Sequence, residues 1–128
     1  MKKYCLLFLL LVSPLTFAIG IGSLTTHSAL GEKLLAEVPL LNAEHLSNKE
    51  ILISIASIEE HQTLQVPFHY FSHSLRFTLV REDDAKAILL ISSTQVVTEP
   101  YLQFLLKITT PEERLLKELS TLINMPQP

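Results

Sequence analysis

Every second side chain is apolar in several short runs of this sequence, and this period of two constrains the fold more than any other feature. Residues 51–56, 75–80 and 101–109 all show it, with aliphatic or phenylalanine side chains at alternate positions. Successive side chains of a β-strand point to opposite faces, so each run predicts a strand with one face in a core. The runs are too short for long helices, and the chain is predicted to be all-β.

Other segments place the ends of these strands. Residues 87–91 are apolar on both faces, as expected of a strand covered on both sides. Turn-forming residues separate the runs at Gly31, at 82–84 and at Pro100. Residues 42–49 and 57–64 are polar and compatible with short helical turns. Together these features predict an immunoglobulin-like two-sheet sandwich of about seven strands with short helical turns.

The first residues predict export. Lys2 and Lys3 precede an apolar run over residues 4–14, and small residues lead to Ala18, which is the order of a secretory signal peptide. Cleavage after Ala18 would divide the chain into a leader, 1–18, and one domain, 19–128. The alternative is that the leader stays attached as a membrane anchor. With cleavage, we expect the periplasm of a Gram-negative bacterium and no membrane contact.

Cysteine content and charge narrow the possible partners. The only cysteine, Cys5, lies inside the leader, so packing alone must stabilise the domain. Without the leader the chain has eight Lys and Arg and thirteen Asp and Glu, a net charge of −5 with histidine neutral. Nucleic acid and acidic lipid surfaces are poor partners for this charge.

The last segment gives conflicting signals. Thr110, Pro111 and Glu113 form a helix-start pattern, and leucines follow at helical spacing. The alternative is a final strand that pairs with residues 101–109 through a turn at 110–113. The residues alone leave both readings of 112–123 open.

Four stretches of the chain carry a family resemblance. They are IGIGSL with SALGEKLLAEVPLL at 19–24 and 28–41, SLRFTLVR at 74–81, TEPYLQFLL at 98–106 and RLLKE at 114–118. In this order they resemble the N-terminal periplasmic domain of the FimV family, which includes the pilus-assembly and polar-landmark proteins FimV, HubP and TspA. The TEPYLQFLL stretch is the most specific part.

The resemblance implies a β-sandwich, a strand at 114–123 and a non-catalytic scaffolding role in cell-envelope organisation or type IV pilus assembly. The partner it implies is an envelope or pilus-assembly protein, with peptidoglycan contacted only indirectly. Family members usually have a tryptophan and a glycine in the turn at 108–113, an aromatic residue in place of Leu119, and a LysM module and a transmembrane helix further on. This sequence has none of these, so we expect a stand-alone domain.

The polar residues give little sign of chemistry. His69 and His73 have a helical metal-ligand spacing, but they lack a third ligand and run into a predicted strand. His27, His45 and His61 are predicted to be solvated. The adjacent carboxylates at 59–60, 83–84 and 112–113 lie in turn-like segments, and no nucleophile elbow occurs. We expect no catalytic residue, metal or cofactor.

Function is therefore predicted to depend on surface contacts. The candidate partner-binding or motif residues are Glu99, Pro100, Tyr101, Phe104, Tyr70 and Phe71. Glu99 is expected to cap backbone groups of a neighbouring strand. An exposed strand edge could also accept a peptide, so the alternative function is a small periplasmic inhibitor or chaperone-like module that binds a secreted protein by strand addition.

Overall fold

The computed structural model describes residues 19–83 and 86–126, and the predicted leader lies outside these described residues. The described chain is mostly β, and the prediction of an all-β sandwich is confirmed. The strands are β1 Gly20–Ile21, β2 Thr25–Thr26, β3 Lys33–Leu41, β4 Leu52–Ile55, β5 Leu75–Arg81, β6 Ala87–Val96, β7 Tyr101–Thr109 and β8 Arg114–Leu122. Residues 19–83 and 86–126 form these eight strands, where about seven were predicted, because two short strands pair with the same edge of β3.

Two antiparallel sheets make up the sandwich. In the first, the order is β1-β3-β6-β5, and β2 also pairs with β3. In the second, β7 lies between β4 and β8. The described residues also form one short helix, α1 (Ile58–Thr63), and two 3-10 turns, Asn48–Glu50 and Tyr70–Ser74. Helix α1 and the first turn lie at the segments predicted to form short helical turns. The second turn leads directly into β5.

The core lies between the sheets and follows the period-two pattern. Buried side chains alternate along β3 and β6, from Leu34 to Leu40 and from Ala87 to Ile91. In the second sheet, Leu102, Phe104, Leu106 and Ile108 are buried on the inner face of β7. Because these faces remove many aliphatic groups from water, hydrophobic burial stabilises a domain that has no disulfide.

Residues 87–91 were predicted to be covered on both faces, but only the face toward the other sheet is fully buried. Ala87, Leu89 and Ile91 are buried, but Ile88 and Leu90 are only half-buried and belong to neither described core cluster. Their neighbours on the outer face give the reason: Pro39 and Glu37 on β3 flank them, so lateral contact rather than a covering layer shields them.

The segment with conflicting signals forms a strand, β8, as the resemblance implied. Thr110 and Glu113 form a turn: the Thr110 N–H donates to the Glu113 carbonyl at 2.8 Å, and the Glu113 N–H donates to the Thr110 hydroxyl at 3.1 Å. The helix-start residues therefore serve as hairpin-turn residues. Pairing with β7 along all nine residues of β8 outweighs the helical spacing of the leucines.

Contacts between the sheets close one side of the sandwich. The Ile19 N–H donates to the Glu113 carboxylate at 3.3 Å, and the Lys117 ammonium donates to the Ile21 carbonyl at 2.6 Å. The start of the domain therefore lies along β8, which shields part of this edge strand from pairing with another chain.

Helix α1 covers part of the outer face of the second sheet. Ala56, Val66 and Leu105 form a small second core there, with Leu116 packed against it. Contrary to the prediction of a solvated side chain, His61 on α1 is fully buried. The neighbouring Glu59 and Gln62 are exposed, so the polar sequence around His61 gave no sign of a core position.

Candidate functional site

Four of the six predicted binding residues line one surface groove. It has a volume of about 330 Å³. Residues 68–72 form one side, and residues 97–99 and 101–103 form the other. We call it the tyrosine groove, because Tyr70 lies on one side and Tyr101 on the other. It also includes Phe71 and Glu99.

An aromatic cluster holds the first side of the tyrosine groove. The ring of Phe68 packs edge-on against His61, at 5.0 Å between centroids, and against Tyr70, at 5.9 Å. Its ring also meets His73 at 5.2 Å. Edge-to-face contacts of this kind add to apolar burial. Tyr70 is 82% exposed, so the cluster fixes an aromatic side chain that remains available to a partner.

A short turn builds the second side. Pro100 separates β6 from β7, and its carbonyl accepts a hydrogen bond from the Ile123 N–H at 2.7 Å. Tyr101 then opens β7 directly opposite Leu122 on β8. Tyr101 is 47% exposed and Leu122 is 72% exposed. The groove therefore continues into an exposed apolar pair.

Two predicted residues have roles that differ from partner binding. Phe104 is fully buried between the sheets, so it is a core residue of the motif and cannot contact a partner. Pro100 is exposed but contributes through its carbonyl bond to Ile123. Phe71 is intermediate: it lines the groove and also packs against the main core.

The expected backbone cap by Glu99 is absent. Its side chain is exposed, and within residues 19–83 and 86–126 its carboxylate makes no hydrogen bond or ion pair. The turn at 97–100 is instead held by backbone bonds, such as that from the Val97 N–H to the Glu32 carbonyl at 2.9 Å. The Glu99 carboxylate is therefore free to meet a ligand in the groove.

Hydrogen bonds and an ion pair of Glu60 fix helix α1 against β7, and α1 carries His61, whose ring contacts Phe68. Ser57 and Glu60 form a capping box, with the Glu60 N–H bonded to the Ser57 hydroxyl and the Ser57 N–H bonded to the Glu60 carboxylate, both at 3.0 Å. Lys107 on β7 donates to the same carboxylate at 3.1 Å. The backbone bond from Ser57 and then the bond from Lys107 hold the pKa of the Glu60 carboxyl below its ordinary value of 4.5.

The remaining histidines lie apart on the described part of the chain, and His27 lies 3.1 Å from the Glu37 carboxylate. His69 and His73 lie at the 3-10 turn, where His73 contacts the rings of Phe68 and Tyr70. Among the described residues, no group of three or more His, Cys, Asp or Glu side chains could hold a metal ion. The sequence offered no sign that Phe68 and Gln103 also line the groove, apart from their nearness to Tyr70 and Tyr101.

Arg81 was also missed as a structural residue. Its guanidinium donates to the Asn48 side chain at 2.7 Å and to the Ala43 carbonyl at 3.1 Å, and it also bonds to the Leu46 carbonyl. These bonds hold the connection between β3 and β4 against the end of β5. The last arginine of the stretch 74–81 thus serves the fold.

Within the described part of the chain, no helix has the length and apolar character needed to cross a bilayer.

Comparison with known proteins gives a family for the fold. Residues 19–126 match the family described as FimV N-terminal domain Ig-like domain. The chain is also 36% identical over 116 residues to the motility hub protein FimV of Pseudomonas aeruginosa, in both strain PAO1 and strain UCBPP-PA14. That alignment covers 91% of this chain and 13% of each relative, so the chain spans about an eighth of their length. No solved structure matches significantly.

Proposed function

Because this chain belongs to the FimV family through its N-terminal Ig-like domain, we propose that it is a non-catalytic, protein-binding scaffold domain of the periplasm that supports pilus- or motility-related assembly. The family relation supports the general role. The finer statement, that the chain binds a pilus-assembly or envelope protein, is our proposal, and the properties of its surface support it.

The tyrosine groove is the observation that carries the proposal. Tyr70 and Tyr101 present 82% and 47% of their surfaces to solvent on opposite sides of one groove. Tyrosine is enriched at protein interfaces because its rigid ring buries a large area while its hydroxyl still finds a hydrogen bond. Leu122 extends the same apolar surface. A partner that covers these side chains gains apolar burial at little cost in side-chain entropy.

The charge of the domain agrees with a protein partner. The net charge of −5 after removal of the leader disfavours nucleic acid and acidic lipid. The leader itself supplies the periplasmic part of the proposal, and residues 1–18 lie outside the described residues. Mass spectrometry of the exported protein tests this directly: a first residue of Ile19 agrees with cleavage, and an intact Met1 contradicts it.

Site-specific photo-crosslinking in living cells tests the partner. A photoreactive phenylalanine analogue at Tyr70 or Tyr101 of the full chain should crosslink to a protein of the pilus or motility apparatus. The same analogue at Thr78, which is exposed on the outer face of the other sheet, is the matched control and should not. Crosslinks to an unrelated secreted protein would overturn the envelope role and favour the inhibitor or chaperone alternative.

A pull-down separates direct from indirect contact with the cell wall. Purified peptidoglycan sacculi should not retain the full chain alone, because the proposal gives it a protein partner. Retention without any partner protein would contradict that part of the proposal.

A further inference from the structure

The two edges of β7 are paired unequally. Along one edge, β8 pairs with all nine residues, Tyr101–Thr109. Along the other edge, β4 pairs only from Leu106 to Thr109, because β4 ends at Ile55 and the chain turns into α1. The first residues of β7 therefore have a neighbouring strand on one side only.

Hydrogen bonds at both ends of this stretch show which backbone groups point to the unpaired side. The Leu105 carbonyl accepts from the Ala56 N–H at 3.0 Å, and the Leu105 N–H donates to Nε2 of His61 at 3.1 Å, so both groups of Leu105 face the β4 side. The Pro100 carbonyl faces β8, where it accepts from Ile123. Because strand residues alternate, the N–H and C=O groups of Tyr101 and Gln103 face the β4 side.

These groups have no backbone partner in the part of the chain that the structure describes. No hydrogen bond joins the Tyr101 or Gln103 N–H or C=O to another strand or loop on that side. His61 satisfies the equivalent N–H of Leu105, so the unpaired stretch begins immediately beyond it. Two donors and two acceptors thus remain at the spacing of an extended chain.

The tyrosine groove runs along this unpaired edge. Tyr101, Leu102 and Gln103 all line it, although the side chains of neighbouring strand residues lie on opposite faces. A surface in contact with all three must include the edge of the backbone. The opposite side, residues 68–72, leaves a gap where β4 would continue if it were longer.

We propose that the tyrosine groove binds a short extended segment of the partner protein as an added strand. The segment lies beside β7 where β4 would continue beyond Ile55, and it is hydrogen-bonded to the backbone of Tyr101 and Gln103. This inference rests on the proposed function and specifies how the partner is recognised. An apolar side chain of the segment packs between Tyr70 and Tyr101. Backbone bonds supply affinity and the side-chain contacts supply selectivity.

Charge defines the segment further. Glu99 is the only carboxylate in the groove lining, it is exposed, and within the described residues it has no ion-pair partner. A Lys or Arg in the bound segment, next to its apolar residue, therefore complements the groove. An acidic segment is disfavoured both by Glu99 and by the net negative charge of the domain.

A proline substitution tests the backbone hydrogen bond at Gln103 separately from the side-chain contacts of the groove. Gln103→Pro removes the N–H that faces the groove, whereas the bonds to β8 come from the even-numbered residues of this stretch. Gln103→Ala is the matched control, because it also loses the side-chain bond to Glu118 at 2.5 Å but keeps the N–H. The probe is a synthetic 12-residue peptide, selected from a random displayed library for binding to the full chain.

The proposal predicts that Gln103→Pro weakens peptide binding by about tenfold or more, as expected for a lost hydrogen bond in a buried interface, while Gln103→Ala stays within about threefold. Glu99→Gln should weaken binding of basic peptides and leave uncharged ones unchanged. Equal binding by the proline and alanine variants, with both folded, overturns the inference.

If the proline variant does not fold, amide hydrogen exchange on the unmodified chain tests whether the peptide binds as an added strand. In the free protein the Tyr101 and Gln103 amides should exchange quickly and those of Leu102 and Phe104 slowly. Bound peptide should protect Tyr101 and Gln103, and binding without this protection rejects strand addition. Crosslinks from Tyr70 to a pilus protein would persist in that case, so failure of this inference differs from failure of the proposed function.

Discussion

Gly22 lies so close to Pro39 that no side chain fits between them. The Gly22 N–H donates to the Pro39 carbonyl at 2.8 Å, and a Cβ built on Gly22 would be 2.5 Å from Cγ of Pro39. The contact joins the segment between β1 and β2 to the second half of β3. It brings the glycine-rich start of the domain against the proline of AEVPLL.

Gly22→Ala should therefore destabilise the domain. Either the first edge strand or Pro39 must move, and overpacking of this kind costs about 1–3 kcal/mol. Urea unfolding measures the change. Gly20→Ala is the matched control: its Cβ would lie 3.2 Å from Cβ of Leu41, a tight approach that a much smaller shift relieves than the 2.5 Å approach at Gly22. Equal losses for the two variants would contradict the importance of the Pro39 contact.

His61 should be a structural residue with a fixed tautomer. Its Nε2 accepts from the Leu105 N–H at 3.1 Å and its Nδ1 donates to the Ser57 carbonyl at 2.9 Å, so the proton lies on Nδ1. Nitrogen chemical shifts of the ring should show this tautomer. His61→Ala leaves a buried N–H without its partner and a cavity beside Phe68, and should cost about 2–4 kcal/mol in the free energy of unfolding.

The exposed His45 provides the comparison for this variant. His45→Ala should change the free energy of unfolding by less than about 0.5 kcal/mol. If both alanine variants unfold at the same urea concentration as the unmodified chain, the burial and bonding of His61 do not stabilise the fold.

The sheets could be predicted from the sequence because period-two burial acts locally. Residues 75–80 and 101–109 became strands with the predicted faces inside, since each apolar side chain alternates with one that faces outward. The C-terminal segment could not be predicted from its residues alone. Its helix-start residues suit a turn equally well. Pairing with β7 decides the outcome, and this tertiary contact is not encoded in the helix propensity of the segment itself.

The sequence predicted some of the residues that line the tyrosine groove, but not their arrangement. Tyr70, Phe71, Glu99 and Tyr101 meet at one groove, although a 3-10 turn and the start of β7 with the residues just before it, far apart in sequence, supply them. What the sequence could not reveal is where β4 ends relative to β7, because that depends on the register of pairing. The buried position of His61 was hidden for a similar reason: one helical turn among polar residues carries too short a pattern.

Glu60 should make stability depend on pH. Its pKa is lowered in the folded protein, so its contribution is fully present above the ordinary value of 4.5 and is lost as the pH falls through the lowered pKa. The unmodified chain should therefore lose more stability between neutral and acid pH than Glu60→Gln does. Unfolding curves across this range measure the difference. Glu59→Gln is the control, since the Glu59 carboxylate makes neither the Ser57 nor the Lys107 contact, and it should follow the unmodified chain.

Arg81→Ala should loosen the connection between β3 and β4. The guanidinium bonds to Asn48, Ala43 and Leu46; its loss removes the donor to the Leu46 carbonyl and leaves the Ala43 carbonyl with only the Leu46 N–H. Faster amide exchange across residues 42–50 is expected, with a loss of about 1–3 kcal/mol in unfolding free energy. Lysine should not restore it, because a single ammonium cannot reach three acceptors in this fork-like arrangement. Arg114→Ala, at an exposed position on β8, is the control and should leave exchange in this loop unchanged.

Substitutions within the TEPYLQFLL stretch should separate folding from binding. Phe104 is fully buried and Tyr101, three residues earlier, is 47% exposed on the groove. Phe104→Ala should cost about 3–5 kcal/mol because a buried ring leaves a cavity, whereas Tyr101→Ala should change stability by less than about 1 kcal/mol. Tyr101→Ala should nevertheless remove most crosslinking from an analogue at Tyr70. A Tyr101→Ala chain that unfolds as easily as Phe104→Ala would show that the tyrosine serves the core, and the groove would then lose its main claim to a binding role.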